Sequence, residues 1–214
     1  PMFVVTLLTN PETPVLERVT VESLRNAWGG GEARWLDPGV AAECDLVAIP
    51  DNRWEVWDGL QALQVDMVVQ RVEGRKKRLL IADMDSTMIR QECIDELADF
   101  VGAKAHVAAI TERAMRGEIE FEPALRERVA LLKDLPVSVV DEVLAKRIKP
   151  TPGGRELVMT MRASGAFTCL ISGGFTLFTH AVAAKIGFQE NRANELVVRD
   201  GKFTGDVAEP ILGR

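Results

Sequence analysis

Two aspartates separated by one residue, Asp83 and Asp85, follow the apolar run Leu79-Leu80-Ile81-Ala82 in the stretch LLIADMDSTMIRQE. A carboxylate pair at i and i+2 where the chain leaves a strand can be aimed at one point, because the backbone is free to turn there. One carboxylate can then attack phosphorus while the other handles protons, which is the division of labour that covalent phosphoryl transfer needs. By itself Asp-x-Asp would favour a loop of surface aspartates or a plain cation site. The apolar run before it, Ser86-Thr87 after it and a matching site downstream shift the reading to catalysis.

That downstream site is CLISGGF, Cys169–Phe175. An apolar strand leads into a hydroxyl residue and two glycines, and a helix is expected to follow. The N–H groups of Ser172, Gly173 and Gly174 can approach a phosphate closely where no Cβ intervenes, with the helix N-terminus adding a favourable dipole and Ser172 a hydroxyl. In isolation Ser-Gly-Gly would be read as a turn. Other residues carry less. His106 and His180 lack partners at metal-ligand spacing. Trp28, Trp35, Trp54 and Trp57 fit core packing better than ligand stacking. Cys93 has no basic neighbour in sequence to activate it.

The elements that would position these residues fall into two groups. Over residues 2–74 the patterning predicts strands at Met2–Leu8, Cys44–Ile49 and Asp66–Val72 and helices at Val19–Trp28 and Arg53–Leu63. This is a small α+β module, with helices on one sheet face, resembling amino-acid-sensing ACT domains. Arg75-Lys76-Lys77-Arg78 reads as a solvated linker. Residues 75–214 then follow an α/β rhythm. Leu79–Ala82 is expected as a fully buried parallel strand with Asp83 at its C-terminal end, where open α/β sheets bind ligands. The chain reads helical from Ile94 to Arg147, too long for an ordinary connection and best understood as a cap. A helix at Gly154–Ala163, a strand at Ala166–Ile171 and a helix at Thr176–Ile186 come next. Asn194–Val198 and Lys202–Thr204 flank the hairpin signal Asp200-Gly201.

Apolar residues at 47% and charged residues at 27% exclude a disordered chain. No apolar stretch approaches a membrane span, and no signal-peptide pattern opens the chain, so a cytoplasmic location without membrane partners is expected. The net charge of −6 is unevenly spread: 12 acidic and 5 basic side chains over residues 1–74, then 20 and 21 over residues 75–214. Nucleic acid is an improbable partner for that distribution, since backbone binding needs clustered Lys and Arg. Cys44, Cys93 and Cys169 are expected as buried reduced thiols.

DMDST, the Ser-Gly-Gly-Phe segment, ITERAMRGEIEFEPALRERVALLKDLP and DGKFTGDV together resemble the phosphoserine phosphatases of the haloacid dehalogenase superfamily, over about residues 79–212. The resemblance implies a Rossmann-like α/β core with a helical cap at about 92–148. It also implies hydrolysis of O-phospho-L-serine in serine biosynthesis, with Asp83 as nucleophile and Asp85 as general acid and then base. Ser172 and the Gly173 amide would be phosphate ligands, and Mg²⁺ would be held by the Asp83 carboxylate and the Asp85 backbone carbonyl. Glu92 would meet the substrate ammonium and Arg128 its carboxylate, with Met115 and Phe121 closing over them. An acid and a base beyond the phosphate site are what phosphoserine demands, and Arg grips a carboxylate bidentately. Transfer to an amino-acid hydroxyl and an amino-acid-binding regulatory fragment are the alternatives. The family's lysine and its Gly-Asp-Gly-x-x-Asp-type motif do not occur before Arg214, so the core is expected to be incomplete and the chain inactive by itself. Leu79–Ala82 would then be an exposed edge, through which a homodimer is one expected assembly.

Overall fold

A computed structural model describes residues 2–213. The chain forms two compact units, Pro1–Lys76 and Lys77–Arg214. In the first, β1 (Phe3–Leu8), α1 (Arg18–Ala27), β2 (Arg34–Asp37), β3 (Ala41–Leu46), α2 (Arg53–Gln61) and β4 (Asp66–Arg71) build an antiparallel sheet in the order β2-β3-β1-β4. This is the split βαβ, ferredoxin-like arrangement. Alternation along β1 sends Phe3, Val5 and Leu7 into a core shared with Val21 and Leu24 of α1 and Leu60 of α2. The other face mixes charged side chains with Val4, which is fully buried. Thr6 pairs in register with Glu43 and Val4 with Asp45, and Arg34 bridges both acids while Arg75 also meets Glu43.

Three features of this unit depart from the sequence reading. The strand expected at Cys44–Ile49 lies earlier, at Ala41–Leu46, leaving Val47 and Ile49 exposed. β2 was not anticipated, because RWLD is a short and mostly exposed edge strand with no apolar alternation; its hairpin to β3 turns through Pro38 and Gly39, the latter at φ 74°. Trp28, Trp35 and Trp57 pack on the core, whereas Trp54 is 65% exposed. On α2 the inward positions are 56, 57 and 60, and Trp54 lies off that stripe, edge-on to Trp57 and beneath the Arg53 guanidinium.

In the second unit β5 (Leu79–Ala82), β6 (Phe167–Phe175) and β7 (Glu190–Asn194) form a parallel sheet in the order β5-β6-β7. Between β5 and β6 run α3 (Cys93–Asp99), α4 (Lys104–Met115), α5 (Phe121–Ala130), α6 (Val139–Lys146) and α7 (Gly154–Ala163). α8 (Thr176–Ile186) joins β6 to β7, and β8 (Leu196–Arg199) with β9 (Lys202–Val207) makes the hairpin turning at Asp200-Gly201. The inserted helices share one continuous core with the sheet: Ile94, Leu97, Val107, Leu125 and Val129 belong to the same cluster as Leu170, Phe175 and Phe178. Three free cysteines are buried. No helix among the described residues is long and apolar enough to cross a membrane.

β5 is parallel as expected but not fully buried. Among the described residues it pairs only with β6, and Leu79 and Ile81 are 53% and 58% exposed while Leu80 and Ala82 pack inward. β6 continues past Ile171, so Ser172-Gly173-Gly174-Phe175 is extended and α8 begins only at Thr176. β7 went unforeseen because ENRAN is polar; its pairing with β6 and the buried Asn194 define it, and the hairpin strand starts at Leu196 instead of Asn194.

Candidate functional site

Register brings the two sequence motifs together. Ala82 pairs with Leu170, so the chain leaving β5 at Asp83 runs beside Ile171 and Ser172 on the C-terminal edge of a parallel sheet. Asp83 is extended and its Oδ1 accepts from the Met84 amide at 2.7 Å. The chain then turns tightly through Met84–Met88, with Ser86 at φ 51°. The fully buried Met84 anchors this turn in the core, while the Ser86 amide donates to the Gln91 carbonyl and Thr151 donates to the Thr87 carbonyl. A rigid turn fixes where the second carboxylate lies.

Asp85 lies under the surface. Burial pushes its carboxyl up to about 7; hydrogen bonding from Cys93 opposes this, and the charges of Glu92 and Asp83 add to it. Its Oδ1 is buried without a hydrogen-bond partner. Burial, with Asp85 and Glu92 adding to it, pushes the Cys93 thiol far up, so this cysteine is no nucleophile. Gly174 is close by: a Cβ there would meet Ser172 Oγ at 3.1 Å and Asp85 Oδ2 at 3.3 Å. The Gly174 amide donates to Ser172 Oγ at 2.9 Å. Both motifs therefore face one small volume.

Three further side chains lie near it. Glu92, just before α3, accepts from Ser86 Oγ at 2.6 Å. Arg128 of α5 is only 8% exposed; desolvation lowers its pKa, against the nearby charges of Asp95, Glu92 and Asp85. The Phe121 ring is so near Gly173 that a Cβ there would sit 3.0 Å from Cζ. Met115, at the end of α4, is not gathered into this group and is 80% exposed. His106 and His180 are both exposed. The sequence reading missed Asn194, whose Nδ2 donates to the Gly173 carbonyl at 2.9 Å and to the Leu212 carbonyl at 3.0 Å, and whose Oδ1 accepts from the Leu212 amide. An asparagine in a polar strand carries no local signal for such a role.

The donors available to a divalent cation are the Asp83 carboxylate and the backbone and side-chain oxygens of Asp85. Among the described residues no three acidic, His or Cys side chains converge. Oxygen donors of this kind, with one of them buried and unpartnered, fit a hard divalent cation.

A three-stranded parallel sheet with acidic and glycine-rich segments side by side at its C-terminal edge defines an α/β protein. The chain belongs to the family described as haloacid dehalogenase-like hydrolases, whose profile matches residues 80–214. It is 42% identical over 138 residues to a phosphoserine phosphatase of Methanocaldococcus jannaschii, covering 64% of this chain and 65% of that one. A structure described as a phospho-aspartyl intermediate analogue of phosphoserine phosphatase is 43% identical, with a TM-score of 0.58 over 62% of this chain and 63% of that one. A haloacid dehalogenase family hydrolase from Salmonella enterica serovar Typhi aligns over 98% of this chain and 73% of its own, with 25% identity and a TM-score of 0.80. The chain spans less than two thirds of the length of the curated relatives it matches.

Proposed function

We propose that the protein hydrolyses O-phospho-L-serine to L-serine and phosphate through an aspartyl-phosphate on Asp83, as a step of serine biosynthesis in the cytoplasm. The observation carrying this reading is the Asp83–Asp85 turn beside Ser172 and Gly174, with Glu92 hydrogen-bonded to Ser86 of that turn and Arg128 in the field of Glu92 and Asp85. Asp83, exposed at the strand end, attacks phosphorus. Asp85, with a carboxyl raised to about 7, holds a proton near neutral pH; it gives that proton to the leaving serine oxygen and then takes one from the water that cleaves the acyl-phosphate. Ser172 and the Gly173 amide bind phosphate oxygens. Glu92 takes the ammonium group and Arg128 the carboxylate, which selects an amino acid over other phosphate esters. Phe121 covers the phosphate side, and the freely exposed Met115 folds over a bound ligand. Mg²⁺, held by the Asp83 carboxylate and the Asp85 carbonyl, would screen phosphate charge so that an anionic nucleophile can approach.

Two lesser readings accompany this one. The ferredoxin-like topology of residues 2–74 supports an ACT-like, amino-acid-binding module, tested by serine binding in calorimetry. The exposed face of β5 supports pairing of two copies. For the main reading, acid quench of a full-length form of the protein mixed with ³²P-labelled phosphoserine should trap a labelled adduct, whereas the 214-residue chain alone is expected to be inactive. Asp83→Asn, nearly isosteric, should abolish it with an unchanged circular dichroism spectrum. A label surviving in that variant would place the nucleophile elsewhere.

A further inference from the structure

Arg128 is oriented by the protein itself. Its Nε donates to the Ala124 carbonyl at 3.1 Å and its Nη1 to Thr111 Oγ1 at 3.0 Å. Among the described residues it enters no ion pair within 4.0 Å, although Asp95, Glu92 and Asp85 lie in its field. Thr111 sits on the neighbouring helix α4, and its hydroxyl donates to the Val107 carbonyl at 3.1 Å. A hydroxyl has one proton and two lone pairs. With the proton committed to Val107, a lone pair is left facing the guanidinium, so Thr111 serves as an acceptor of fixed direction.

The consequence lies in which donors remain. A guanidinium offers five N–H groups in a planar fork. Two are spent on Ala124 and Thr111, which leaves one N–H on Nη1 and two on Nη2. One from each Nη can meet a carboxylate in two parallel hydrogen bonds. At 8% exposure, water is poorly placed to take over from Thr111, so losing this contact would leave the fork free to rotate about its long side chain.

The geometry points to Thr111 as a positioning residue that sets the direction of the Arg128 fork and so the preference for a phosphorylated amino acid over an ester without a carboxylate. This rests on Arg128 being the carboxylate partner. The test compares O-phospho-L-serine with O-phosphoethanolamine, which keeps the phosphate and the ammonium but lacks the carboxylate; Kd and KM are measured for a full-length form of the protein and its variants. Thr111→Val, of the same shape but without the acceptor, should raise both constants for phosphoserine by about tenfold and leave phosphoethanolamine within about twofold. Thr111→Ser should restore the preference, and Thr111→Ala should repeat the loss. Equal effects of Thr111→Val on both esters, or none on either, would overturn the inference. Arg128→Ala weakening both esters alike, or an unmodified protein with no preference for phosphoserine, would instead remove the substrate reading on which it rests.

Discussion

Asp83 and Asp85 are two carboxylates of one short turn in different surroundings. Asp83 is exposed and Asp85 half-buried, with burial pushing the Asp85 carboxyl up to about 7, and in the proposed reaction that contrast would separate an attacking group from a proton carrier. Their types and spacing were legible because an apolar strand precedes them and a second strand end repeats the pattern. Thr111 and Asn194 were not, since each acts on a residue 17 to 21 positions away, Arg128 and Gly173 respectively, and only tertiary packing creates that proximity. Glu92 and Arg128 are legible by resemblance alone, because Glu and Arg are ordinarily surface charges. Their proposed roles give a selectivity prediction. Arg128→Ala should lower kcat/KM for phosphoserine by about a hundredfold while changing O-phosphoethanolamine little, the size expected for losing charged hydrogen bonds. Glu92→Gln should penalise both of these amines relative to the phosphate ester of 3-hydroxypropionate. Parallel losses across all three esters would take these residues out of substrate recognition.

Among the elements, those with an apolar period were legible and the polar ones were not. α7 and α8 lie where the pattern put them, and the Asp200-Gly201 turn joins the expected hairpin. β2 and β7, with sequences RWLD and ENRAN, are strands by pairing and not by composition. β3 illustrates what a mixed strand does: Cys44 and Leu46 enter the core while Glu43 and Asp45 face the opposite side. There desolvation would raise the Glu43 carboxyl, but hydrogen bonds from Arg75 and Arg34 outweigh it and hold the group below its ordinary value. The folded state thus binds this proton less readily than the unfolded chain. The contribution is present above the unfolded value of about 4.3 and is lost as pH falls through the folded one. Thermal unfolding followed from pH 7 downward should show the first unit losing stability below about pH 4. Glu43→Gln should start less stable and flatten that acid slope; an unchanged slope would mean the pair contributes nothing.

At the scale of the molecule, the order β5-β6-β7 leaves the strand that leads into the site on the edge of its sheet. Parallel strands ordinarily carry cover on both faces, and the run Leu79-Leu80-Ile81-Ala82 has the composition of such a strand. Here Leu80 and Ala82 pack inward while Leu79 and Ile81, with the register partner Phe167, face solvent. An apolar edge with unpaired backbone groups is a template for a further strand, and the same edge on a second copy supplies one. The 214-residue chain should therefore sediment at micromolar concentration as a dimer or larger species. Replacing Leu79 and Ile81 together by Lys removes the apolar face without touching the inward side chains. That variant should shift toward monomer with its circular dichroism and thermal midpoint little changed, since surface substitutions ordinarily alter stability by about 0.5 kcal/mol or less. A monomeric parent, or a variant that still associates, would show that this edge is not where two copies meet.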